Sequence, residues 1–188
     1  MNVFFIFGPQ AVGKMTIGEI VAKKLDLIML HNHRTLELLQ PIFGWTAPTF
    51  ELSALFRQLI FSKFVEEQSS KGLVFTLVLD FSSKADMEEF NQYKELFTAK
   101  GIEPYFVELE ADLSERLYRN KTEHRLNQKP SKRDTSHSEK ELLQAHEDYR
   151  LNSLPGEVKE KYYYRLDVTS LTAEQAADRI MKQFNLKE

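Results

Sequence analysis

The sequence contains no cysteine. That absence excludes disulfides, thiolate zinc, iron–sulfur clusters and a cysteine nucleophile, and it fits a cytoplasmic, reducing setting. Glycine and proline are scarce, with 7 and 6 residues, which excludes collagen-like and low-complexity chains. Positive charge is not in excess: 25 Lys and Arg stand against 28 Asp and Glu, a net charge of -3. A chain built to hold bare nucleic acid would be basic, because phosphate contacts supply most non-specific affinity, so no nucleic-acid partner is expected. Long apolar runs are missing as well. The N-terminal run Val3, Phe4, Phe5, Ile6, Phe7 has no basic residue before it. It is too short for a signal peptide and far below the ~20 residues of a membrane span, so neither a leader nor a membrane partner is expected.

What remains is the composition of a globular domain. Hydrophobic residues make up 42% and charged residues 28%, and 14 Phe with 7 Tyr supply the bulk for a sizeable core. At 188 residues one domain is expected, spanning 1–188.

Apolar runs alternate with helical periodicity. Strands are expected at 3–7, 27–30, 73–79, 105–109 and 162–168, each short and nearly continuous in apolar residues. Helices are expected at 14–25, 35–39 (ended by Pro41), 50–69, 84–100, 139–151 and 172–184, and another begins at 112–118. In the long helix, Leu52, Leu55, Phe56, Leu59, Ile60 and Phe64 recur at three and four and predict its buried stripe. Residues 44–48 read as loop. Residues 120–136 are polar and basic and read as a mobile lid. Thr172 is the expected N-cap of the last helix. Strands that read as continuous apolar runs between helices predict an α/β fold, a parallel sheet covered on both faces.

The strongest motif is Gly8-Pro9-Gln10-Ala11-Val12-Gly13-Lys14-Met15-Thr16. It follows a buried strand and opens a helix. Its glycines let backbone N–H groups turn inward around phosphate oxygens, and the helix start adds unpaired donors and a positive dipole end. Lys14 reaches the terminal phosphates, and a hydroxyl beside it can hold Mg²⁺. The strict pattern places that hydroxyl directly after the lysine. Here Met15 takes the place and Thr16 follows.

With this loop the chain resembles the nucleoside-monophosphate-kinase-like group of P-loop proteins, which includes shikimate kinase, gluconate kinase and chloramphenicol phosphotransferase. More narrowly, it is similar to bacterial P-loop kinase-like ATP-binding proteins. These carry Gly-Pro-Pro-Ala-Val-Gly-Lys-Met-Thr, a His-Asn-His after the second strand and a Lys-Pro-Ser-Lys-Arg-Asp lid, here residues 8–16, 31–33 and 129–134. The resemblance implies a five-stranded parallel sheet of order 2-3-1-4-5, with ATP and Mg²⁺ as cofactors. It implies that residues 8–16 bind the nucleotide, that Arg119 stacks on the adenine with Asn120 beside it, and that Arg125 clamps the β/γ-phosphates. It further implies that the loop holding Thr169 touches the purine.

Ligands of such sheets lie beyond the carboxyl ends of the strands. His31 and His33 follow the second strand, where the resembling kinases carry Asp. A neutral histidine can take a hydroxyl proton; the alternative is a pair of polar loop residues. Two histidines are too few for a zinc site. Asp80 ends the strongest strand and can hold Mg²⁺ or orient an acceptor hydroxyl; it can equally cap a turn. Arg57 is placed by the resemblance on an acceptor carboxylate, with a surface arginine as the alternative. Phe43, Trp45 and Phe50 can wall the acceptor pocket or belong to the core.

These readings lead to an ATP-dependent kinase that phosphorylates a small-molecule acceptor, a hydroxylated metabolite or an antibiotic-like compound. The alternatives are a nucleotide-binding or slow ATPase module acting through a macromolecular partner, and a nucleoside monophosphate kinase. The oligomeric state is not legible.

Overall fold

The computed structural model describes residues 1–67, 71–123, 126 and 133–187. Among them, five strands form one sheet: β1 (Val3–Phe7), β2 (Ile28–His31), β3 (Leu73–Leu77), β4 (Tyr105–Glu110) and β5 (Tyr163–Asp167). Their order is β2-β3-β1-β4-β5 and every pairing is parallel. The described helices are α1 (Lys14–Lys24), α2 (His33–Phe43), α3 (Ala47–Glu66), α4 (Lys84–Thr98), α5 (Leu113–Asn120), α6 (Thr135–Asp148) and α7 (Ala173–Gln183). No described helix is long and apolar enough to cross a membrane.

β1 lies at the centre because all five of its residues are apolar, and all five are fully buried. Successive side chains point to opposite faces. Val3, Phe5 and Phe7 enter one core with Phe61 of α3 and Phe90, Tyr93 and Phe97 of α4. Phe4 and Ile6 enter the other with Ile17 and Val21 of α1 and Ala176, Ala177 and Ile180 of α7. Phe5 packs edge-on against Phe61, Phe75, Phe90 and Phe97 and stacks on Phe106. Each such phenylalanine contributes about 1.5–3 kcal/mol by burial. α7 begins as expected: Thr172 accepts from Gln175 N–H while the Gln175 side chain accepts from Thr172 N–H, a complete capping box.

Three expectations need correction. Pro41 does not end α2; the helix continues to Phe43 with the proline inside. The buried Leu36 and Leu39 hold this segment helical against the loss of one N–H. Residues 44–48 are not all loop, because α3 starts at Ala47 with Pro48 in its first turn, where a missing N–H costs nothing. The buried stripe of α3 is also a different one. Thr49, Ser53, Arg57, Phe61 and Val65 face inward, while Leu55 and Leu59 are 46% and 54% exposed. The inward polar residues are tolerated because each meets a partner. The Thr49 hydroxyl donates to Gly44 O, Ser53 bonds the Thr35 hydroxyl, and Arg57 reaches Tyr93 and Glu89. Boundaries elsewhere shift by a few residues; α3 ends at Glu66, α4 at Thr98, and α6 begins at Thr135.

Candidate active site

The loop after β1 is held open by backbone geometry. Gly8 has φ +139°, and a Cβ there would stand 2.3 Å from Leu109 O. Ala11 (φ 60°) and Gly13 (φ 108°) also take left-handed conformations. This alternation turns successive N–H groups toward one centre, the geometry of an anion nest, and α1 adds its N-terminus. Lys14 crosses the loop and donates to Gly8 O and Pro9 O, both at 2.6 Å. Met15 is buried and apolar, so the half-buried Thr16 supplies the hydroxyl beside the loop.

Two arginines of α5 hold this loop. Arg119 donates to Val12 O at 2.9 Å, to Val168 O at 2.7 Å and to Glu115 at 2.7 Å. It therefore joins the phosphate loop to the segment after β5. Arg116 is almost fully buried and donates through Nε to Gln10 O at 2.9 Å. Burial pushes its pKa down to about 10, still above neutral pH, so the guanidinium stays charged. The Thr169 hydroxyl donates to Asp167, its oxygen accepts from Asp112 N–H, and its carbonyl accepts from Arg119. Asn120 departs from its expected place: it is fully buried and paired with Ser138, tying α5 to α6. It does not line the cleft. Arg125 and residues 124 and 127–132 of the expected lid lie outside the described residues, while Asn120 belongs to α5 and residues 135 and 136 to α6, so the ends of that stretch are helical.

A cleft of about 750 Å³ opens beside the loop. Gln10 to Thr16 and Arg119 form one end. His31, His33, Trp45, Phe50, Arg57 and Asp80 lie around the rest. The structure thus brings the residues expected from β2, α3 and β3 to the same cavity as Lys14. The His31 and His33 rings are 6.5 Å apart. Phe43 is 40% exposed and outside the cleft lining, whereas Trp45 and Phe50 line it with ring centroids 6.2 Å apart.

Asp80 sits three residues beyond the end of β3. Its Oδ1 accepts from Ser82 N–H at 2.9 Å, the Ser82 hydroxyl at 2.6 Å and Arg150 N–H at 3.1 Å. Partial burial pushes its pKa up, but these bonds and the Arg150 charge outweigh that and hold it below the usual carboxylate value. It is ionised at neutral pH. Among the described residues no group of three His, Asp or Glu side chains could hold a metal ion. Magnesium in phosphoryl-transfer sites keeps several waters and takes one or two protein ligands plus phosphate oxygens. Thr16 and Asp80, both on the cleft, fit that modest requirement.

Several residues of the site were not expected from sequence. Glu89 and Tyr93 of α4 engage Arg57: Nη2 donates to Glu89 at 2.7 Å, Nε donates to Tyr93 OH at 3.0 Å, and Tyr93 OH donates to Glu89. Burial raises the Tyr93 pKa, so the phenol stays protonated. Asp86 accepts from Asp80 N–H and the Ser83 hydroxyl. These partners lie far from Arg57 in the chain, and no local pattern marks them.

No protein-family model matches the sequence, and no curated protein matches it. Solved structures do. A Chloroflexus aurantiacus protein whose kinase assignment is itself provisional aligns with a TM-score of 0.65 at 15% identity, over 98% of this chain and 96% of that one. A gluconokinase from Sinorhizobium meliloti aligns with a TM-score of 0.61 at 14% identity, over 98% and 91%. The Mycobacterium tuberculosis APS kinase, solved with AMPPNP and APS, aligns with a TM-score of 0.59 at 14% identity, over 98% and 97%. With its parallel 2-3-1-4-5 sheet and the glycine loop at the end of the central strand, this chain has the fold of the P-loop small-molecule kinases.

Proposed function

We propose that the protein is an ATP- and Mg²⁺-dependent kinase that transfers the γ-phosphoryl group to a hydroxyl of a small-molecule acceptor. One observation carries the reading: the phosphate loop with Lys14 opens into a cleft that continues well past the phosphate site, to His31, Trp45, Arg57 and Asp80. A nucleotide module alone has no need of that second half.

In this reading the backbone N–H groups of residues 8–16, all but Pro9, hold the phosphates and Lys14 exchanges its carbonyl partners for β- and γ-oxygens. Arg119 lies against the adenine, beside the Thr169 segment. Arg125 keeps the phosphate-clamp role on the resemblance alone. Thr16 and Asp80 would hold Mg²⁺, which would supply positive charge to the phosphate oxygens. Asp80 also orients the acceptor hydroxyl, and His31 or His33 accepts its proton or hydrogen-bonds it. Positioning of this kind is most of what phosphoryl transfer asks of a protein.

The relatives support the nucleotide through the AMPPNP held by the APS kinase. Lys14→Ala tests the reading. Calorimetry should show ATP binding weakened and a radiolabel assay should show transfer abolished, with the circular dichroism spectrum unchanged. Wild-type ATP affinity in that variant would overturn the phosphate site.

A second reading, a slow ATPase acting through a macromolecular partner, is favoured by the engagement of Asp80 Oδ1 with Ser82 and Arg150 and by the lack of Asp at 31–33. ATP hydrolysis that no small alcohol diverts to phosphoryl transfer would support it.

A further inference from the structure

Arg57 is the one cation among the described residues lining the acceptor half of the cleft, and it is already matched. Its guanidinium is buried, ion-paired to Glu89 and hydrogen-bonded to Tyr93, whose own hydroxyl also donates to Glu89. Glu89 thus sits where an acceptor carboxylate would have to bind. Displacing it would leave one carboxylate without its partner, and sharing Arg57 would put two carboxylates against one guanidinium. The surroundings add to the repulsion. Asp86 lies one turn before Glu89 on the same helix and lines the same cleft. Around the acceptor, two carboxylates, Glu89 and Asp86, face one guanidinium. Lys14 and Arg119, at the other end, belong in the kinase reading to the phosphates and the adenine. Trp45 and Phe50, two neighbouring aromatic faces, line the same cleft.

We propose, resting on the kinase reading above, that the acceptor is an alcohol without an anionic group, neutral or amine-bearing, with a flat apolar portion that lies against Trp45 and Phe50. Glu89 is the specificity-determining residue: by neutralising Arg57 it excludes hydroxy-carboxylates. The expectation that Arg57 grips an acceptor carboxylate is replaced by this assignment.

The chain has a single tryptophan, and it lines this cleft, so Trp45 fluorescence reports occupancy directly. Three alcohols sharing one skeleton supply the probes: 4-(hydroxymethyl)benzoate, 4-(hydroxymethyl)benzamide and 4-(aminomethyl)benzyl alcohol. Each is titrated into the full chain with Mg²⁺ and the non-hydrolysable AMPPNP. The amide and the amine should change the Trp45 emission at concentrations about tenfold or more below those the benzoate needs, the scale set by like-charge juxtaposition. Glu89→Gln should shrink that ratio or invert it. If Glu89→Gln does not fold by circular dichroism, Asp86→Asn should shift the ratio in the same direction. Benzoate binding as well as the amide in wild type, no response to any of the three, or a ratio unmoved in the folded variant would each overturn the inference. The kinase reading is read separately, by replacing AMPPNP with ATP. Occupancy with the expected preference but without ADP release or a phosphorylated product would overturn the kinase and leave the charge preference standing.

Discussion

Arg116 is the residue whose role a substitution would display most sharply. Its Nε supports Gln10 O inside the phosphate loop, and it lies outside the cleft lining. Arg116→Met should leave the cleft residues in place but release that carbonyl. A hydrogen bond to a charged group contributes about 1.5–3 kcal/mol, so ATP affinity measured by calorimetry should fall about tenfold or more. Affinity equal to wild type would show that the loop keeps its shape without this arginine. Asp80 carries a second prediction. Asp80→Asn should cut phosphoryl transfer in a radiolabel assay by about 10²-fold, the scale of a misplaced acceptor. Its lowered pKa also makes stability depend on pH. The folded carboxylate is favoured, so its contribution is present above the ordinary value of 3.8 and lost as pH falls through the lower folded value. The stability gap between wild type and Asp80→Asn in urea melts should therefore close as the pH is taken below that point. Asp80, His31 and His33 were legible in sequence because they stand at or just beyond strand ends, where such sheets bind ligands; His31 proves to be the last residue of β2 and His33 the first of α2. Glu89 was not, because the ion pair joins helices 32 positions apart in the chain.

At the scale of elements, the phosphate loop was readable in full: nine consecutive residues carry its geometry. α3 was not. Its sequence shows an apolar stripe at Leu55 and Leu59 that stands exposed, while the side turned inward begins with Thr49, Ser53 and Arg57. Hydrophobic spacing finds the inward face only when polar residues are outside. Here the polar residues are inside because the helix borders the cleft and must reach Thr35, Glu89 and Tyr93. The two stripes predict opposite costs. Phe61→Ala, in the aromatic cluster with Phe5, Phe75 and Tyr93, should destabilise by about 3–5 kcal/mol. Leu59→Lys should change stability by no more than about 0.5 kcal/mol. Urea denaturation of the two variants checks both; a large loss for Leu59→Lys would mean that this face is covered in solution. Pro41 misled for a related reason, since packing by Leu36 and Leu39 overrides a local breaker.

Across the whole molecule, strand–helix alternation predicted the parallel sheet, but the strand order came from resemblance and not from periodicity. The order decides what nucleotide can couple. Arg119 links the loop after β1 to the segment after β5, so a nucleotide bound between them contacts both halves of the sheet. Mg-ATP at a hundredfold excess over Kd should stabilise the fold by about 2.7 kcal/mol. The melting temperature should rise accordingly in wild type and stay flat in Lys14→Ala. The same order has a consequence in time. β1 is made first, yet its neighbours are β3 and β4: Val3 pairs with Leu73 and Phe4 with Tyr105. At a synthesis rate of roughly 5–20 residues per second, the five most apolar residues at the start of the chain wait roughly 5–20 s for their second partner strand. During that interval the emerging chain presents Val3 to Phe7 as an unpaired sticky segment, and the ribosome-bound stage is when this protein is most exposed to aggregation.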